Sequence, residues 1–123
     1  MKQMSGRFDN PLIVYRDDIK PERSLCGYRQ RMVKGEDGVP ASLTYLSVSE
    51  AECHYHKQTT EYYYVLEGEG MIKLDDRVVE LRPHTLVCIP PGVKHVAAGD
   101  LKVLVIGIPP FNPDDQFKVE QQT

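Results

Sequence analysis

The 123-residue chain has no run approaching the roughly 20 consecutive apolar residues that a bilayer-crossing helix requires, so no helical membrane span is expected. Its amino terminus, Met1-Lys2-Gln3-Met4-Ser5-Gly6, lacks an apolar signal core, which leaves the cytoplasm as the expected location. A dense Lys/Arg stripe is also missing. With a net charge of −3 there is no basic field for a nucleic-acid backbone, and a nucleic-acid partner is not expected. Cysteine is scarce: Cys26, Cys53 and Cys88 make an odd number at spacings that fit neither a disulfide framework nor a zinc cluster. Free thiols in a reducing compartment are the direct reading. Helix-period stretches of useful length and internal repeats are absent as well.

What remains is a series of short β-type runs separated by turns. Residues 12–15, after Asn10-Pro11, predict a short edge strand, and an exposed edge needs cover. A second copy of the chain is the expected cover, giving a homodimer. Residues 28–34 and 41–48 flank a glycine-bearing polar loop and predict an antiparallel hairpin. The run from Glu61 to Leu66 ends at Gly68-Glu69-Gly70, and residues 71–74 and 77–81 predict a second hairpin turning at Asp75-Asp76. Residues 85–89 form the next run, stopped by Pro90-Pro91-Gly92, whose last two residues suit the centre of a type II turn. The nearly continuous apolar run 101–108 predicts a strand covered on both faces. Beyond it the prolines from Pro109 onward end the sheet, and Asn112-Pro113 predicts a capped final helical turn. The expected fold is all-β, a sandwich or small barrel in one domain over residues 1–123, with an arm over 1–22 that carries the edge strand and a tail over 109–123.

The chemistry concentrates in His54-Tyr55-His56-Lys57-Gln58-Thr59-Thr60-Glu61. On an extended backbone His54 and His56 point to one face while Cys53 and Tyr55 point to the other. Glu61 opens the next strand, and His95 follows the tight turn at Gly92. Three of the four histidines therefore fall near one another in pattern; His84, after Arg82-Pro83, belongs to an exposed turn. An ionised carboxylate inside a barrel with no partner would cost several kcal/mol, and neutral imidazoles there would need hydrogen bonds. A divalent cation satisfies all four groups, which makes His54, His56, Glu61 and His95 the expected metal ligands. Mixed nitrogen and oxygen ligands leave open positions on iron, manganese, nickel or cobalt, and zinc fits the same set in tetrahedral fashion. Tyr63 shares a face with Glu61 and is either packing or pocket lining. Arg29 and Arg31 share a face and either sit in solvent or bind a carboxylate or phosphate on a ligand.

The order His-x-His, four residues, Glu, six residues, Gly, then Pro-x-Gly-x-x-His resembles the two motifs of the cupin family, here carried by His54, His56, Glu61, Gly68, Pro90, Gly92 and His95. The resemblance implies a jelly-roll β-barrel, the double-stranded β-helix, with the three histidines and the glutamate binding a metal at its mouth. The sequence departs from the pattern at Val48 and His84, where that family has glycine, and at Gly99, where it has asparagine. Two classes of function follow. One is a metal-dependent enzyme, such as a dioxygenase or isomerase, acting on a small molecule held beside the ion. The other is a non-catalytic binding or sensor module with a structural metal.

Overall fold

The computed structural model describes residues 9–120. Nine strands form one curled antiparallel sheet: β1 (Glu22–Arg23), β2 (Gly27–Val33), β3 (Ser42–Val48), β4 (His54–Tyr55), β5 (Thr60–Leu74), β6 (Arg77–Leu81), β7 (Leu86–Ile89), β8 (His95–Ile108) and β9 (Phe117–Lys118). Strands β5 and β8 are the spine, antiparallel over their whole length from Thr60↔Ile108 to Leu74↔His95. Their first and last halves belong to opposite walls. The amino-terminal half of β5 lies between β7 and the end of β8, and β3 and β2 continue that wall outward. The carboxy-terminal half of β5 lies between β6 and the start of β8, next to β4 and β9.

The change of wall occurs at a bulge between Val65 and Glu67, followed by glycines that allow close backbone approach. Gly68 has φ +90° and Gly99 φ +123°, and a Cβ on Gly68 would collide with the main-chain carbonyl of Asp100. Gly68 of the sequence motif thus serves the bend of the barrel. Inside the bend, alternation along the strands buries Val65, Ile72, Leu81, Leu101 and Val103 completely. Each such side chain contributes roughly 1.5–3 kcal/mol relative to exposure.

The hairpins expected from the sequence form, with Asp75 at φ +53° in its turn and Gly92 at φ +90° in the turn before His95. Asn112 caps the short 3-10 turn Pro113–Asp115 by accepting from the amide of Asp114 at 2.9 Å. Among the described residues, 12–15 pair with no strand, the edge beyond β2 being taken by β1; their expected pairing with a second copy would be a contact between chains. The arm crosses the outside of β2 and β3: the Arg16 guanidinium sits 4.0 Å from the Tyr45 ring centre, and the Gln30 amide donates to the carbonyls of Arg16 and Ile19. Residues 1–8 of that arm lie outside the described residues, as do the last three of the tail. The run 101–108 is covered on its inner face only. Its outward side chains, Leu104 and Ile106, stay half-buried in a single chain, and Ile108 is exposed.

Candidate metal centre

Local structure explains why the motif residues converge. His54 pairs with His95 across β4 and β8, which places two imidazoles side by side with ring centres 4.4 Å apart. His56 follows on the same side two residues later, and Glu61 enters from the start of β5 opposite Gly107. One ligand atom from each of His54, His56, Glu61 and His95 lies within 4.8 Å of the others, and all four residues are buried. His84 is outside this group. It is exposed at φ +72°, with Nδ1 3.0 Å from the Tyr64 hydroxyl.

The outer nitrogens of the three rings set the chemistry of the inner ones. Nδ1 of His54, His56 and His95 lies 3.0, 2.8 and 3.0 Å from the main-chain carbonyls of Glu52, Asp115 and Val93. A carbonyl only accepts, so each Nδ1 donates; in a neutral ring this leaves Nε2 as a lone-pair atom facing inward. The Glu61 carboxylate faces the same point, with Oε1 3.1 Å from His95 Nε2 and 3.3 Å from His56 Nε2. His56 Nε2 is buried and makes no hydrogen bond. Four electron-rich groups converge where water is scarce.

The electrostatics follow from that crowding. Burial, reinforced by the neighbouring His95, pushes His54 down to about 4, so its ring is neutral at neutral pH. Burial opposes ionisation of Glu61, but contacts from His56 and His95 outweigh it and hold the carboxyl at about 2. His56 is raised above the ordinary imidazole value, because the Glu61 carboxylate and the Asp115 carbonyl and charge outweigh burial. The Glu61 carboxylate thus draws positive charge, a proton on His56 or a cation, to the point where the rings meet.

Beside the cluster an open cavity is bounded by Cys26, Arg29, Leu46, His54, Tyr63 and Phe111, among others. Tyr63 is on its wall, 3% exposed, so it both packs and lines the pocket. Arg29 reaches the cavity but Arg31 does not; Arg31 faces a shallow depression with Gly35 and Pro110. Both guanidinium groups approach the Phe111 ring, at 5.5 and 5.6 Å.

Two residues of the site had no mark in the sequence pattern. Cys26, half-buried like Cys53 but beside the cluster, places Sγ 3.9 Å from both His54 Nε2 and Tyr63 Oη. Burial pushes its thiol to about 12, with the Glu61 charge adding to the effect, and burial also carries the Tyr63 phenol well above its ordinary value. Asp115 is the other. Its carboxylate accepts from the main-chain amides of Lys57, Gln58 and Thr59 at 2.9–3.2 Å while its own carbonyl holds His56. No local spacing connects it to residues nearly sixty positions away.

With that geometry in view, a family model for the cupin domain matches residues 44–107, just over half the chain and the stretch that contains all four clustered residues. The chain belongs to the cupin family. Among curated proteins, this cupin is 33% identical over 71 residues to an uncharacterized protein of Methanocaldococcus jannaschii, a match covering 54% of this chain and 57% of that one. Among solved structures, a protein from Planctomyces limnophilus superimposes with a TM-score of 0.84 at 29% identity, covering 88% of this chain and 96% of the other. The Streptomyces nucleoside dehydratase Pac13 superimposes with a TM-score of 0.81 at 17% identity over 93% of this cupin and 95% of Pac13, a likeness of fold alone.

Proposed function

We propose that this cupin binds one divalent cation through His54, His56, Glu61 and His95, and uses it to act on a small organic molecule held in the adjoining cavity. The observation that carries the reading is the inward convergence of three imidazole lone pairs and an ionised carboxylate, with His56 Nε2 buried and lacking a hydrogen bond. Such an arrangement is costly without a compensating positive charge. The carbonyl partners of all three Nδ1 atoms are what ligating histidines require of their second nitrogen. A bound ion would supply Lewis acidity or, for a redox metal, one-electron chemistry.

The surrounding groups favour metal-centred chemistry over acid–base work by side chains. Cys26 and Tyr63, whose pKa values are raised, stay protonated at neutral pH and donate hydrogen bonds rather than take protons. An oxygen-using or isomerising reaction of a small molecule, with the ion as the only strong electrophile, is the activity these groups support. Iron, manganese, nickel, cobalt and zinc all suit the ligand types. Elemental analysis of protein purified without affinity nickel tests the reading, followed by oxygen uptake and isomerisation assays after loading with each metal. The expected result is one ion per chain, lost in Glu61→Ala and in His95→Ala. Equal metal content in wild type and both variants would remove the proposal.

The three free thiols suit a reducing compartment, and no helix of the described residues is long and apolar enough to cross a membrane. A homodimer is part of the same reading. On the outside of the sheet, Tyr45, Leu104, Tyr64 and Leu86 stand in register across four strands, beside a second row of Leu43, Ile106, Tyr62 and Cys88. Leu86 is 60% exposed, and such a face suits burial by another copy. Light scattering at micromolar concentration is expected to give twice the chain mass, and a monomer in both wild type and Leu86→Glu would dismiss the idea.

A further inference from the structure

The cavity beside the cluster has a chemical polarity that narrows its ligand. Apart from His54, Arg29 is the only basic side chain on its wall among the described residues, and Glu61 the only acidic one. Glu61 faces the clustered imidazoles. Arg29 commits only Nε, which donates to Glu22 Oε1 at 2.9 Å; its two terminal nitrogens have no hydrogen-bond partner among the described residues. Glu22 lies on the exposed edge strand β1, with its side chain 56% exposed, so this pairing is open to water and weak. The Phe111 ring, 5.5 Å from the guanidinium, limits where the fork can turn. A planar pair of N–H donors on a cavity wall is suited to a carboxylate.

Neighbouring groups fit the rest of such a molecule. Leu46 and Val105 give the wall an apolar strip, while the Thr44 hydroxyl and Gln116 amide line it without hydrogen-bond partners among the described residues. The cavity is open on one side, so a ligand is selected by the polar contacts at its wall rather than by an enclosed volume.

We infer that the site takes a small monocarboxylate, its carboxylate held by the terminal nitrogens of Arg29 and a second oxygen directed toward the His54, His56, Glu61 and His95 cluster. This rests on the metal reading only for the second contact; the first belongs to Arg29 alone. With a divalent ion in place of the cluster's missing positive charge, ion and guanidinium together outweigh the Glu61 carboxylate. The field at the site then favours an anion over its neutral analogue.

The test uses glycolate, lactate and pyruvate as probes, with lactamide as the neutral counterpart of lactate and inorganic phosphate as the competing anion. Calorimetric titration of metal-loaded protein is expected to show lactate binding at least about tenfold more tightly than lactamide, the range of one charge-assisted contact. Arg29→Gln is expected to remove that preference while metal content, read by elemental analysis, stays at the wild-type value. Arg31→Gln is expected to keep it. Glu22→Gln, which releases Arg29 from its competitor at an exposed position, should tighten lactate binding and remains informative if Arg29→Gln fails to fold. Equal affinity for lactate and lactamide, tighter binding of phosphate than of lactate, or an unchanged preference in Arg29→Gln would overturn the inference. Loss of metal binding with an Arg29-dependent lactate preference intact would sink the metal reading alone.

Discussion

The interior of this barrel has two ends that obey opposite rules. At one, Val65, Ile72, Leu81, Leu101 and Val103 have no exposed surface and carry no polar side-chain atom. At the other, His54, His56, Glu61 and His95 are as well buried but present charge and lone pairs to one another. Strands β5 and β8 contribute to both ends, with Glu61 and His95 at the polar one. The difference teaches that stability and chemistry fall to different stretches of one scaffold: the dry end holds the fold, and the polar end gathers buried ligand-type groups at a cost to that stability.

Removing mass from the dry end breaks the comparison most forcefully. Leu101→Ala deletes a side chain with 0% exposure in the middle of the apolar cluster, and a loss of about 2–5 kcal/mol is expected. Urea unfolding of ion-free protein measures it, and metal stoichiometry of the folded variant should not change. A loss under about 1 kcal/mol would show that the apolar end is not what stabilises the barrel.

Asp115 anchors the loop that carries His56, so its removal should register both in stability and in metal affinity. In Asp115→Ala the amides of Lys57, Gln58 and Thr59 lose their acceptor and the loop between β4 and β5 loosens around His56. The expected cost is about 1–3 kcal/mol in unfolding free energy, together with about tenfold weaker metal binding in a competitive chelator titration. Asp115→Asn, which keeps one acceptor oxygen, should recover part of each. Weakened stability with unaltered metal affinity would reduce Asp115 to a loop anchor with no bearing on His56.

Acid should act on the polar end alone. In the ion-free protein His56 is raised above its ordinary value by Glu61 and Asp115, so acidification puts a proton on Nε2 that competes with the metal. His54, held down to about 4 by burial, stays neutral in mild acid and adds nothing to the competition. Apparent metal affinity is therefore expected to fall by about one to two decades per pH unit between pH 6.5 and 5, and not by three. Chelator titrations across that range decide the slope, and a flat profile would mean that the imidazoles are not the ligands.

How far these features could be read from sequence depends on the distance over which each is determined. The four clustered residues follow two short motifs, in which strand alternation and a tight turn place His54, His56, Glu61 and His95 by local geometry. The hairpins at Asp75 and before Ser42 were legible for the same reason. Residues 12–15 have strand-forming composition, yet a strand exists only by pairing, and the neighbouring edge belongs to Glu22 and Arg23. Cys26 and Asp115 reach the site through contacts spanning 28 and 59 positions, and no periodicity records such closures. Arg29 and Arg31 share a face as alternation requires, but only the closed barrel separates the one on the cavity wall from the one outside it.

The smallest expected effect tests whether stability can be altered without reaching either end. His84 departs from the glycine of the motif pattern and adopts φ +72°, a left-handed conformation that costs a residue with a Cβ roughly 1–2 kcal/mol. Gly92, across β7 in the other turn, takes φ +90° without that penalty, and that turn is the one that delivers His95. Strain is thus tolerated where no ligand depends on the turn. His84→Gly relieves it but loosens the unfolded chain and removes the contact with the Tyr64 hydroxyl, which is exposed and replaceable by water. The net expectation is a gain of about 0.5–1 kcal/mol, read as a higher urea midpoint at unchanged slope, with metal affinity the same as wild type. A destabilised His84→Gly would mean that the Tyr64 contact outweighs the backbone strain, and that this outer turn braces β5 near the cavity after all.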